Sequence, residues 1–264
     1  CAIPIISIAP THRTDHTNVG GVDFRNHELP GWPMKRAVRL AVVVLLLGLP
    51  SLVMAFPTTQ ILDNFNRANE GPPPSANWAG PWEQSSGLVV SGNQCAPSAT
   101  GNKDAYWSAA TFGPNVEAFV TIATIPTTDG ASIRLGVRIV EPGPGDNSTT
   151  ADGYIAMWQF VAASTDSVRL FSLTNGATTE LGTGVLLDMA DGDQLGLEAI
   201  GSTIKVYTKS GAGAWTERRS ETDATYSAAG YIGLQLIADA GIRCDDFGGG
   251  RVLAPQRTLM GVGR

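Results

Sequence analysis

Arg134, Arg138 and Trp158 are the side chains in this chain best suited to recognition chemistry. An indole offers a flat apolar face on which a sugar ring stacks, and neighbouring guanidinium groups hydrogen-bond to hydroxyls. Trp107, Trp215 and Tyr226 form a second set for the same role. Each aromatic also has a packing reading, because buried rings dominate core energetics. Asp63, Asp245 and Asp246 carry the hard oxygen ligands that calcium takes. The carboxylates at 146–152 and 188–193 are weaker candidates, since Asp-Gly pairs are first of all turn formers.

Chemistry that needs imidazole depends on where the chain is cut. Residues 34–55, MKRAVRLAVVVLLLGLPSLVMA, read as a secretory signal peptide: a basic start at Lys35, Arg36 and Arg39, an apolar run over 40–49, and a small-residue cleavage site at Val53-Met54-Ala55. Cleavage there starts the mature protein at Phe56. Residues 1–33 then form an upstream segment outside the native product. An uncleaved anchor is the alternative, and Pro50 and the short apolar run argue against it. His12, His16 and His27 all precede the cleavage site, so the secreted chain has no Ser/His/Asp triad and no His-ligated metal.

Of 18 basic and 24 acidic residues, five and three lie in the first 55, leaving 13 against 21 and a net charge of −8. Only Lys103, Lys205 and Lys209 remain as lysines. That balance gives no footprint for nucleic acid or for an anionic membrane surface. Cys95 and Cys244 survive cleavage, and an exported pair in an oxidising compartment is expected to bridge; two buried thiols are the alternative.

The elements that must position these groups are strands. From Phe56 to 250 the chain is rich in Gly, Thr, Ser and Ala, with short alternating apolar runs between turn formers and no amphipathic helix or repeat. The pattern predicts strands at 60–67, 88–91, 105–108, 116–124, 132–140, 153–161, 167–173, 194–200, 203–209, 214–219, 231–238 and 242–247. This is the spacing of a single antiparallel β-sandwich. Ile133, Leu135, Val137 and Ile139 line one face of their strand, which turns Arg134 and Arg138 to the other. The strand carrying Trp158 is apolar on both faces and is expected to be central. Residues 249–264 lack alternation and read as a flexible tail.

Asp63-Asn64-Phe65-Asn66-Arg67, the 192–199 and 201–207 segments, 222–234 and Asp245-Asp246-Phe247 together resemble the concanavalin A-like lectin/glucanase superfamily of jelly rolls, including laminin-G-like domains. The resemblance spans about 61–248, and its motifs are structural. It implies an all-β jelly roll whose first and last strands pair, with Phe65 and Phe247 in the core. It also implies that Asp63 meets Asp245 or Asp246 at a structural calcium site.

The glucanase branch of that superfamily uses Glu-x-Asp-x-x-Glu, which places two carboxylates on one face. The nearest string here, Glu221-Thr222-Asp223-Ala224-Thr225-Tyr226, ends in Tyr and lacks the second glutamate. A jelly-roll polysaccharide lyase is a second enzymatic reading. Its pattern would use Arg134 and Arg138, Gln159, then Tyr207 and Lys209 on a uronate polymer, with Val161 where the family has histidine. There is no phosphate-cradling loop and no nucleophile elbow. The sequence therefore predicts a secreted, non-catalytic module that binds glycan or mediates adhesion. The lyase, and a structural part in an extracellular or virion assembly, are the alternatives.

Overall fold

The computed structural model describes residues 55–140, 142 and 150–253. Residues 34–54 of the expected 34–55 signal peptide, the upstream 1–33 segment, the 146–149 part of the acidic loop and residues 254–264 of the expected tail lie outside the described residues.

Among the described residues, sixteen strands build two antiparallel sheets. The first sheet runs β14 (Thr216–Thr222), β13 (Thr203–Lys209), β12 (Gln194–Ile200), β6 (Val116–Thr124), β16 (Arg243–Arg251), β4 (Cys95–Pro97) and β3 (Leu88–Val90), and β1 (Ile61–Asp63) also pairs with β16. The second runs β10 (Ala177–Glu180), β9 (Ser167–Thr174), β8 (Asp152–Gln159), β7 (Ser132–Val140), β15 (Tyr231–Ile237), β5 (Lys103–Trp107) and β2 (Trp78–Ala79), with β11 (Val185–Leu186) on β9. The terminal strands pair, with Asp63 opposite Phe247. The last strand continues through Gly249, Gly250 and Arg251, which face Ala118, Glu117 and Val116. Residues 249–251, expected from the sequence to open a flexible tail, instead belong to the last strand.

Alternation explains the layers. Along β13, Ile204, Val206 and Thr208 are buried while Thr203, Lys205, Tyr207 and Lys209 are not. Between the sheets lie Leu135, Val137, Tyr154, Trp158, Leu197, Val206, Phe65 and Phe247, all fully buried. Removing such side chains from water contributes about 1.5–3 kcal/mol each.

A second apolar cluster covers the outer face of the second sheet, where Trp82 lies against Ile139, Ile155, Met157 and Phe171. Two facing glycines make room for it. A Cβ on Gly136 would stand 3.2 Å from the Trp82 ring, and one on Gly233 only 2.7 Å from its Nε1.

The alternation of β7 breaks at Arg138. This residue has φ +52° and sits in a register shift between Val137 and Val140. The shift moves Ile139 into the outer cluster and turns Arg138 away from the face that Arg134 occupies. Arg138 is buried, and its Nε, Nη1 and Nη2 donate to the carbonyls of Pro114, Tyr226 and Gly201 at 2.7, 2.6 and 2.7 Å. It ties three loops together and is not a ligand-binding arginine.

Candidate functional site

The paired terminal strands open into a cleft of about 590 Å³ lined by β1, the loop leading to β2, Trp107 of β5 and Asp246 of β16. Local conformation shapes it. Asp63 Oδ1 accepts the N–H of Phe65 at 2.9 Å, an Asx turn that holds Phe65 at φ +51° and returns the chain as Arg67 N–H donates to Phe65 O. On the opposite wall, Asp245 Oδ1 accepts the N–H of Asp246, whose φ is +49°. A register shift between Asp245 and Gly248 accompanies that turn. Two non-glycine residues in the left-handed region thus flank one cleft, and such strain gathers at functional sites.

Asp63 is the polar anchor of the wall. Its Oδ1 and Oδ2 accept from Arg67 Nη1 and Nη2 at 2.6 and 3.0 Å, and Oδ2 also accepts from the Trp78 indole at 2.8 Å. Burial raises the Asp63 pKa, but the hydrogen bonds from Arg67, Trp78 and the Phe65 N–H outweigh it and hold the carboxyl below the ordinary range. Arg67 also meets Glu70, and its own pKa is raised by the bond to Asp63. Trp78 stands edge-on to Trp107, with centroids 5.6 Å apart, so the anchor and the aromatic floor are one packed unit.

With Arg67 and Asp63 engaged, the polar groups left facing the cleft belong to other residues. The Asn77 side chain, the Asp246 carboxylate and the Asn64 amide nitrogen make no hydrogen bond among the described residues. Beside Trp107 they supply both donors and acceptors, the composition of a site for a small hydroxylated ligand.

The calcium expectation does not fit this geometry. The Asp63 oxygens already hold a guanidinium, an indole N–H and a backbone N–H. Among the described residues no group of three or more Asp, Glu, Cys or His side chains could hold a metal ion.

The remaining candidates scatter. Trp158 is fully buried between the sheets, with its indole N–H on Asp166 Oδ2 at 3.2 Å, so it packs the core instead of meeting ligand. Alternation could not reveal this because both faces of β8 are apolar. Arg134 lies on the outer face of the second sheet, held by Glu83 and Gln235 at 3.2 Å each, and Gln159 projects from the same face.

Tyr207 and Lys209 project from the outer face of the first sheet. The lyase set is therefore split across opposite sides of the sandwich, with Arg138 in neither group. Tyr226 lines a small recess of about 150 Å³ beside Arg138, its hydroxyl bonded to Thr174. Trp215 sits with Phe56 and Phe119 on the first sheet. Cys95 and Cys244 are free thiols, buried and directly opposite each other across β4 and β16.

Arg67, Asn64 and Asn77 had no place among the sequence candidates. The Asp63-to-Arg67 spacing was available as a signal, but Asn77 comes from a loop that carries no periodicity.

Comparison with solved structures defines the class. The lumenal domain of VIP36 in a Ca2+- and Man2-bound form matches with a TM-score of 0.54 and 12% identity, over 75% of this chain and 90% of that one. The carbohydrate recognition domain of Emp46p in its potassium-bound form gives 0.51 and 11%, over 73% and 97%. A legume lectin-like domain from Entamoeba histolytica gives 0.50 and 10%, over 67% and 91%. No family model matches the chain, and no curated protein matches it. The chain has the concanavalin A-like jelly-roll fold.

Proposed function

We propose that this protein is a secreted, non-catalytic glycan-binding module whose ligand sits in the cleft between the terminal strands. The observation that carries the reading is the convergence of Asn64, Asn77 and Asp246 on the Trp107 floor, in a volume that holds one or two sugar rings. The Man2-bound lumenal domain of VIP36 and the carbohydrate recognition domain of Emp46p, among the structural neighbours, support it. The net charge of −8 after cleavage favours a neutral glycan over an anionic one.

A binding role is favoured over hydrolysis because the nearest string to Glu-x-Asp-x-x-Glu, at 221–226, ends in Tyr226 and lacks the second glutamate that the chemistry needs. Export fits the signal sequence at 34–55, and it fits Cys95 and Cys244, which are register partners across two adjacent strands. The test is a glycan array: binding that disappears in Asn77→Ala with Asp246→Asn, while the fold is unchanged, supports the reading. An array with no bound glycan ends it.

A further inference from the structure

Residues 56–59, Phe-Pro-Thr-Thr, lie across the outer face of the first sheet as a strap rather than as a strand. Among the described residues no backbone-to-backbone hydrogen bond holds them; the next residue, Gln60, is the first to be tied, accepting from Gly249 N–H. Two kinds of contact hold the strap instead. The Phe56 ring stacks flat on Tyr207, with centroids 4.2 Å apart and planes 6° from parallel, and meets Trp215 edge-on at 4.8 Å. Thr58 and Thr59 then give both N–H and hydroxyl groups to a single oxygen, Glu117 Oε1, at 2.6 to 3.2 Å.

The surface beneath is shaped for an occupant. Gly196 leaves the space that Phe56 fills, and a Cβ there would also stand 3.1 Å from Trp215. Glu198 faces Glu117 across the β12–β6 ladder and accepts a hydrogen bond from the Tyr207 hydroxyl at 3.3 Å. Burial, then the neighbouring Glu117, raises the Glu198 pKa. Glu117 is fully buried, yet its second oxygen, Oε2, has no partner. A buried carboxylate oxygen without a donor is uncommon and marks a group awaiting one.

We propose that this groove is a second glycan site, occupied in the structure by the chain's own strap and opened when a neutral polysaccharide displaces it. The strap presents the features of such a ligand in order: a flat ring on Tyr207, then two hydroxyls on a carboxylate. Glu117, Glu198 and Glu217 around Tyr207 disfavour uronates and sulfated chains. Glu117 Oε2 accepts a ligand hydroxyl that the strap does not supply. The site is separate from the cleft and does not depend on it.

The test is calorimetric titration of the secreted protein with mannan, mixed-linkage β-glucan and inulin, with polygalacturonate as the acidic control. In Phe56→Ala with Thr59→Val, made in the Asn77→Ala, Asp246→Asn background that disables the cleft, at least one neutral polymer binds tenfold or more tighter than with the strap intact. Adding Tyr207→Ala removes the gain, and a Phe-Pro-Thr-Thr peptide competes. Equal affinity with and without the strap, or a gain that survives Tyr207→Ala, overturns the proposal.

If the opened variant does not fold, hydrogen exchange on the wild type decides. Saturating neutral polymer accelerates exchange of the Thr58 and Thr59 amides, and unchanged exchange overturns the proposal. Wild-type glycan binding that Asn77→Ala with Asp246→Asn leaves unchanged, with this gain retained, would retire the cleft reading and leave the second site standing.

Discussion

Arg67 grips Asp63 through both terminal guanidinium nitrogens, at 2.6 and 3.0 Å, at the wall of the terminal-strand cleft. The grip fixes the Asx turn that aims Asn64 inward, and it fills the oxygens that a cation would need. Arg67→Met leaves a buried carboxylate with two remaining donors, and is expected to cost about 2–3 kcal/mol in urea unfolding, given that the pair is only partly desolvated. Adding Asp63→Asn recovers part of that loss. Excess chelator is expected to leave the melting temperature of the wild type unchanged; a fall of several degrees would restore calcium to the account.

Arg138 answers three carbonyls from three loops, and no other side chain has the reach or the number of donors to replace it. Arg138→Met is expected to destabilise by about 2 kcal/mol, because three part-buried carbonyls lose a charged donor. Arg138→Lys should fall between the two. Equal stability of the three proteins would show that the carbonyls find other donors.

Acid should weaken the fold through Asp239. Burial raises its pKa, but N–H groups of Gly241, Thr127 and Thr128 bring it down to about 2. A carboxylate whose folded pKa lies below its unfolded value of 3.8 stabilises fully above the unfolded pKa, and the contribution is lost as pH falls toward 2. After allowance for solvent screening the effect is about 1–2 kcal/mol. Asp239→Asn should flatten the acid limb of stability between pH ~4 and ~2; an unaltered limb would contradict this.

Cys95 and Cys244 face each other in the core, and burial pushes both thiol pKa values up, so neither reacts readily once the sandwich has closed. The two are free thiols in the structure, and any bridge between them has to form during folding, before burial closes over them. Protein exported to such a compartment should take up no alkylating reagent after unfolding without reductant, and should unfold at higher urea than protein refolded reduced. On the chain-entropy model a loop this long is worth about 4–5 kcal/mol. Two alkylated cysteines in the exported protein would rule the bridge out.

Much of the fold was readable in the sequence where alternation is complete. β6, β7, β12 and β13 have the bounds their periodicity predicts, and the Asp63 and Asp245 segments pair as the resemblance implied. The four strands that escaped, β2, β4, β10 and β11, are two to four residues long, too short for a period to show. The recognition face was misread for two physical reasons. A bulge at Arg138 reversed the sidedness of its strand, and Trp158 lies on a strand whose two faces are equally apolar. Asp63, Asp246 and Trp107 were visible one at a time. Their meeting in a cleft with Asn77 depends on pairings between residues far apart in the chain, which local pattern does not encode.

The most direct measurement is calorimetric titration of the wild type and of Asn77→Ala, Asp246→Asn with the neutral oligosaccharide that an array selects. Two lost hydrogen bonds of about 1 kcal/mol each predict a rise in Kd of at least about tenfold, with stability unchanged. An unchanged Kd in the double variant would place the ligand elsewhere and contradict the cleft as the binding site.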